Sequence, residues 1–84
     1  MKNIDELEIK NINEPLIIDL REKKDFNVSH INGSYNIKSD NVLGFVLKYK
    51  KDKNILLKCY TGHQSNRVGN MLLKLGYKNI YILK

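Results

Sequence analysis

Hydrophobic positions along the chain follow two rhythms. Short unbroken runs rich in β-branched residues, Leu16-Ile17-Ile18 and Ile55-Leu56-Leu57, sit between polar segments. Such runs predict strands buried on both faces, as in a parallel sheet. Beyond residue 65 the spacing changes to i, i+3, i+4, i+7, with Val68, Met71, Leu72 and Leu75 on one stripe. This predicts an amphipathic helix with Ser65 as its N-cap and Gly76 at its C′ position. Val42, Phe45, Val46 and Tyr49 form a second stripe, on a helix that Asp40 would cap and that would end near Tyr49. Asn3 followed by Glu6 resembles a capping box and would open a short helix ending near Lys10. Glu22 to Val28 has room for one or two helical turns, residues 29–34 read as turn and loop, and Tyr35-Asn36-Ile37 as a short strand. Asn79-Ile80-Tyr81-Ile82-Leu83 is the last strand. Strands alternating with helices in this way predict an α/β fold, with flanking helices on a mostly parallel sheet of about four strands.

Composition narrows the setting. Eighty-four residues make one domain, over 1–84. Apolar residues are 42% of the chain, too many for a disordered tail. No apolar run approaches the roughly 20 residues of a membrane span. Met1-Lys2-Asn3-Ile4-Asp5-Glu6 lacks a signal-peptide core. A cytoplasmic protein with no membrane partner is expected. The formal charge of +6 comes mostly from lysine, and no basic stripe interleaves with aromatics, so no nucleic-acid partner is expected. The positive field favours an anionic substrate and a thiolate. No His/Asp/Glu cluster has metal-ligand spacing, so no metal is expected.

A single cysteine, Cys59, excludes an internal disulfide and a multi-cysteine zinc site. A lone cysteine is either a small core residue or a reactive thiol. Its position favours the thiol. Cys59 ends a predicted strand, Tyr60-Thr61-Gly62-His63-Gln64 forms a short loop, and a helix begins near Ser65. Backbone N–H groups of such a loop converge on one point, and the helix N-terminus adds partial positive charge. A thiolate is stabilised there and serves as a nucleophile.

Cys59-Tyr60-Thr61-Gly62-His63-Gln64-Ser65 resembles the active-site loop of rhodaneses. Ile17-Ile18-Asp19-Leu20-Arg21 resembles that family's hydrophobic-Asp-x-Arg strand end. Phe26-Asn27-Val28-Ser29-His30-Ile31-Asn32-Gly33-Ser34-Tyr35-Asn36-Ile37 resembles its Phe-x-x-(Gly)-His-Ile-x-Gly-Ala-x-Asn-Ile segment, and Leu75-Gly76-Tyr77 stands in its usual place before the last strand. The likeness runs from about Pro15 to Leu83, with its motifs in order. It implies a small three-layer α/β fold and a sulfurtransferase that moves sulfane sulfur through a Cys59 persulfide. The donor would be thiosulfate or a protein persulfide, the acceptor a thiol or cyanide, with no cofactor. The resemblance makes Cys59 catalytic, and Tyr60, Thr61, Gly62, His63, Gln64 and Ser65 the persulfide cradle. Asp19, Arg21 and His30 would support the site, with His30 and Asn36 holding the loop after the first buried strand.

The chain also departs from that pattern. Gln64 stands where many members carry a basic residue, and Ser29 where a glycine often precedes the histidine. Members usually continue with a Gly pair, a helix and often a Trp, whereas this sequence ends at Lys84. One flank of the pocket would therefore be open or completed by a partner, which keeps a sulfur-carrier or interaction module as the alternative. For Asp19 and Arg21 an ion pair at the strand end is favoured over a direct substrate role. For His63 a solvent-facing position is favoured over tuning of the thiol. A phosphatase of similar loop needs Arg six residues after the Cys, and Ser65 stands there.

Overall fold

The computed structural model describes residues 1–84. Five strands form one sheet: β1 (Lys2–Ile4), β2 (Leu16–Asp19), β3 (Tyr35–Asn36), β4 (Asn54–Lys58) and β5 (Asn79–Leu83). Their order is β1-β5-β4-β2-β3, and every pairing is parallel. Three α-helices connect them: α1 (Lys23–Val28), α2 (Val42–Val46) and α3 (His63–Lys74). No helix is long and apolar enough to cross a membrane.

The alternation of side chains along the strands builds two cores. Leu16, Ile18 and Leu20 join Ile55, Leu57, Ile80 and Ile82 beneath Val42 and Val46 of α2 and Val68 and Leu72 of α3. Ile4, Ile17, Leu56 and Leu83 face the other way, under Ile9, Ile12 and Ile31. Both faces are thus covered, as unbroken apolar strands require.

Three local expectations are corrected. The sheet has a fifth strand, because Lys2–Ile4 pairs with Tyr81–Leu83 instead of opening a helix. The capping pattern acts two residues later, where the Glu8 carboxylate accepts from the Asp5 backbone N–H at 3.1 Å and a 3-10 helix spans Glu6–Asn11. Asp40 caps nothing: it lies inside a 3-10 turn, Ser39–Asn41, and α2 ends at Val46, short of Tyr49.

The order of the sheet decides where a site can form. From β2 the chain moves to β3 on one side, and from β4 to β5 on the other. The carboxyl ends of β2 and β4 therefore flank the point where the winding reverses, which is where open α/β sheets hold their ligands. Asp19 is in register with Lys58, and the Leu20 N–H donates to the Lys58 carbonyl at 2.7 Å. Cys59 and Arg21 follow these residues on the two strands.

Candidate active site at the Cys59 loop

Cys59 leaves β4 directly into a loop that turns at Gly62, whose φ of +85° lies in the left-handed region glycine favours. That turn starts α3 at His63, with Gly62 as N-cap. Ser65 is therefore not the N-cap but the third residue of the helix. The difference has a chemical consequence. The first N–H groups of a helix have no helical acceptor, and Gly62 brings no side chain to supply one. The cysteine sulfur fills that role. Its Sγ accepts from the Gly62 N–H at 3.1 Å and from the Ser65 N–H at 3.4 Å.

Opposing influences act on this thiol. Burial is the largest and pushes its pKa up. The Ser65 hydroxyl and the backbone N–H groups of Ser65, Gly62 and Thr61 pull it down and prevail, so the thiol sits below its ordinary value. Cys59 itself is 8% exposed. The Ser65 hydroxyl is fully buried and closes no hydrogen bond; the group it acts on is the sulfur.

The rest of the loop is tied outward. Tyr60 is exposed, yet its hydroxyl donates to the Asp25 carboxylate and accepts from the Glu22 N–H at 3.1 Å. The bond to Asp25 is the first cause that raises the phenol's pKa. Gln64 donates from Nε2 to the Ser39 hydroxyl. Thr61 and His63 are exposed, and His63 is not among the donors to Sγ. The sequence carried no sign of Asp25 or Ser39 as loop anchors, because each pairs with a residue 25 or more positions away.

Asp19 and Arg21 form the neighbouring wall. The Asp19 carboxylate is 1% exposed, and Arg21 Nη2 stands 2.9 Å from it. Arg21 Nε donates to both carboxylate oxygens at 3.1 and 3.2 Å, and the Arg21 backbone N–H adds a bond of 3.0 Å. Arg21 also donates to the Ser29 carbonyl at 2.6 Å, and its hydrogen bonds with Asp19 hold its pKa above the ordinary value. Asn36 donates to the carbonyls of Asp19 at 3.1 Å and Arg21 at 2.8 Å, which clamps the strand end to β3. His30 is not among the donors to the sulfur. Its Nδ1 is 2.8 Å from the Phe26 carbonyl and its ring stacks on Phe26 at 3.8 Å, so it stabilises the end of α1.

Between these walls lies a cleft of about 650 Å³, bounded by residues 20–23 and 36–41 and by Tyr60, Gln64 and Arg67. Cys59 is not part of its wall, but Tyr60 and Gln64 of the cysteine loop are. Lys38, Ser39 and Arg67 are cleft residues that sequence reasoning missed. The available signal was the position of Arg67, one helical turn after Gln64 on the same face. No three His, Cys, Asp or Glu side chains gather in a metal-binding group.

Comparisons with known proteins agree with this geometry. A family model described as "Rhodanese-like domain" matches residues 3–84. "Thiosulfate sulfurtransferase GlpE" of Tolumonas auensis is 31% identical over 65 residues, which are 77% of this chain, and the match covers 61% of that protein. Reduced CoADR-RHD of Bacillus anthracis superposes with a TM-score of 0.81 and 27% identity, over 99% of this chain and 15% of that one. A rhodanese-like domain protein from Staphylococcus aureus, at 23% identity and a TM-score of 0.77, covers 95% of this chain and 82% of its own, and shows the fold alone. The matched residues, the parallel five-stranded sheet and the cysteine loop between β4 and α3 together place this chain in the rhodanese-like domain family.

Proposed function

We propose that this protein is a rhodanese-type sulfurtransferase that carries sulfane sulfur on Cys59. The observation that carries the reading is that Sγ accepts hydrogen bonds from two backbone N–H groups, of Gly62 and Ser65, at the head of α3. A sulfur so placed is a stabilised thiolate and a competent nucleophile. The unpartnered Ser65 hydroxyl gives further support, as a buried donor beside the charge. The name of the Tolumonas relative, a thiosulfate sulfurtransferase, points to the same chemistry.

The reaction has two displacements. The Cys59 thiolate attacks the outer sulfur of thiosulfate or of a protein persulfide. The donor's S–S bond breaks, and sulfite, or the donor thiolate, leaves with the electron pair. Cys59 is left as a persulfide anion. An acceptor thiolate or cyanide then attacks the terminal sulfur and releases Cys59 as thiolate, giving an acceptor persulfide or thiocyanate. Charge balances in both steps without a redox cofactor. In this reading Thr61, Gly62 and Ser65 cradle the charge, while Tyr60 and Gln64 hold the loop. Asp19 and Arg21 brace its flank from β2. The unit acts as one domain in a reducing compartment such as the cytoplasm, where its single cysteine stays a thiol.

Intact mass spectrometry tests this. Reduced protein incubated with thiosulfate should gain one sulfur, about 32 Da, lose it to cyanide or a thiol, and show no gain as Cys59→Ser. No gain from thiosulfate or from a protein persulfide would leave a partner-dependent interaction module instead.

A further inference from the structure

The loop from Cys59 to Ser65 contains no lysine or arginine. Two of its backbone N–H groups, those of Gly62 and Ser65, are given to the sulfur that attacks. The anionic part of a substrate must therefore meet charge elsewhere, and the cleft beside the loop carries it. Four cations line that cleft, Arg21, Lys23, Lys38 and Arg67, against two carboxylates, Glu22 and Asp40.

These cations are not equivalent. Arg21 is engaged by Asp19 and Ser29. Lys23 and Lys38, exposed as Arg67 also is, are point charges on flexible stems. Arg67 stands on α3 one turn after Gln64, so the two share a face of the helix. The protein's one ion pair belongs to Arg21 and Asp19, so the Arg67 guanidinium has no carboxylate partner, and no backbone or hydroxyl acceptor holds it either. It also borders two further cavities beside α3, both lined by Leu43 of α2, which places it where they meet the cleft. A planar fork with free donors at that junction is suited to an oxyanion.

We propose that Arg67 is a specificity-determining residue that receives the anionic end of the sulfur substrate. With thiosulfate, the guanidinium faces the sulfonate oxygens while the outer sulfur meets Cys59. Sulfite then departs toward the same cation with the electron pair of the broken S–S bond. Asp40 borders two of the three cavities that Arg67 borders, and so offsets part of its field. The inference rests on the sulfurtransferase reading for its substrate, but the electrostatic selection has a test of its own.

That test compares two alkylating agents that differ in charge. Cys59 displaces iodide from both iodoacetate, an anion, and iodoacetamide, which is neutral. In the wild type the iodoacetate-to-iodoacetamide rate ratio should exceed that of Arg67→Gln by roughly two- to five-fold at low salt, the effect of one nearby charge in a solvated cleft. The excess should shrink in high salt, return in Arg67→Lys, and grow in Asp40→Asn. A second arm uses sulfur donors, with persulfide formation read by intact mass. Arg67→Gln should lower kcat/KM for thiosulfate by about tenfold or more, chiefly through KM, as loss of a charge-assisted hydrogen bond does. With diallyl trisulfide, a neutral donor, Cys59 displaces an allyl thiolate or allyl persulfide and keeps an allyl di- or trisulfide adduct, and the rate at which that adduct appears should be unchanged. An unchanged alkylation ratio in Arg67→Gln, or equal losses with both sulfur donors, would overturn the assignment. A wild type that reacts with both alkylators but forms no persulfide from thiosulfate or from a protein persulfide would instead overturn the sulfurtransferase reading.

Discussion

Replacing Asp19 by Asn should destabilise the domain far more than loss of a surface ion pair. Asp19 is 1% exposed, and its carboxylate accepts from the Arg21 backbone, Nε and Nη2. Asparagine retains one acceptor oxygen and turns an amide donor toward the guanidinium. Breaking one partner of a buried pair costs about 3–5 kcal/mol, because the other charge stays buried without compensation. Arg21 keeps the Ser29 carbonyl, and its side chain is 14% exposed, so water relieves part of that cost. The lower end, about 3 kcal/mol, is the expected loss. A domain of this length has about 4–13 kcal/mol to lose. At about 4–8 °C per kcal/mol, Tm should fall by roughly 12–24 °C. Urea unfolding followed by circular dichroism measures it, with the m-value checked for two-state behaviour. The double variant Asp19→Asn, Arg21→Met should lose less than the sum of the two single changes, since neither charge is then left alone. A loss below about 1 kcal/mol in Asp19→Asn would refute the reasoning, because that is the worth of a solvated surface pair.

Other expectations concern the cradle and the sheet contact. Cys59 alkylation by iodoacetamide should reach half its limiting rate at a pH below that of an ordinary thiol, and Ser65→Ala should move the midpoint upward; a profile matching free cysteine in the wild type would count against the cradle. The sign for stability follows from the same shift. The folded thiol's pKa is lowered, so the stabilisation is complete above the unfolded thiol's pKa and is lost as pH falls through the folded value, which matched urea titrations of wild type and Cys59→Ser would reveal. Gly62→Ala should cost about 1 kcal/mol, nearly all of it backbone strain at φ +85°, because the added Cβ meets only Asn66 Nδ2 at 3.8 Å. Gly69→Ala should cost about 1–3 kcal/mol in spite of alanine's helix preference. Its Cβ would lie 3.2 Å from Ile80 Cγ2 and 3.3 Å from Ile82 Cδ1, and would also press on Met1 Sδ, so α3 must lift from β5; a neutral or stabilising result in chemical denaturation would show that the helix yields freely.

The parts of this fold legible in the sequence are those whose pattern is local. Leu16–Ile18 and Ile55–Leu57 are apolar on both faces because helices or loops cover both faces, and they read as buried strands without reference to anything distant. Val68 and Leu72 are buried on the stripe of α3 for the same reason. What was misread depends on partners far along the chain. Lys2–Ile4 buries one residue, and only its pairing with Tyr81–Leu83 makes it a strand. Asn3-x-x-Glu6 and Asp5-x-x-Glu8 are equally good capping patterns, and the pull of β5 on residues 2–4 selects the second. Ser65 carries the same lesson into the site. Side-chain preference alone names it an N-cap, but an acceptor already waits for its N–H in the sulfur of Cys59. The helix can therefore start at Gly62, and the capping requirement of α3 is met by the cysteine sulfur. Helix initiation and thiolate stabilisation are then one interaction, so a substitution that loosens the first turn of α3 should raise the thiol's pKa even when it touches no atom of Cys59.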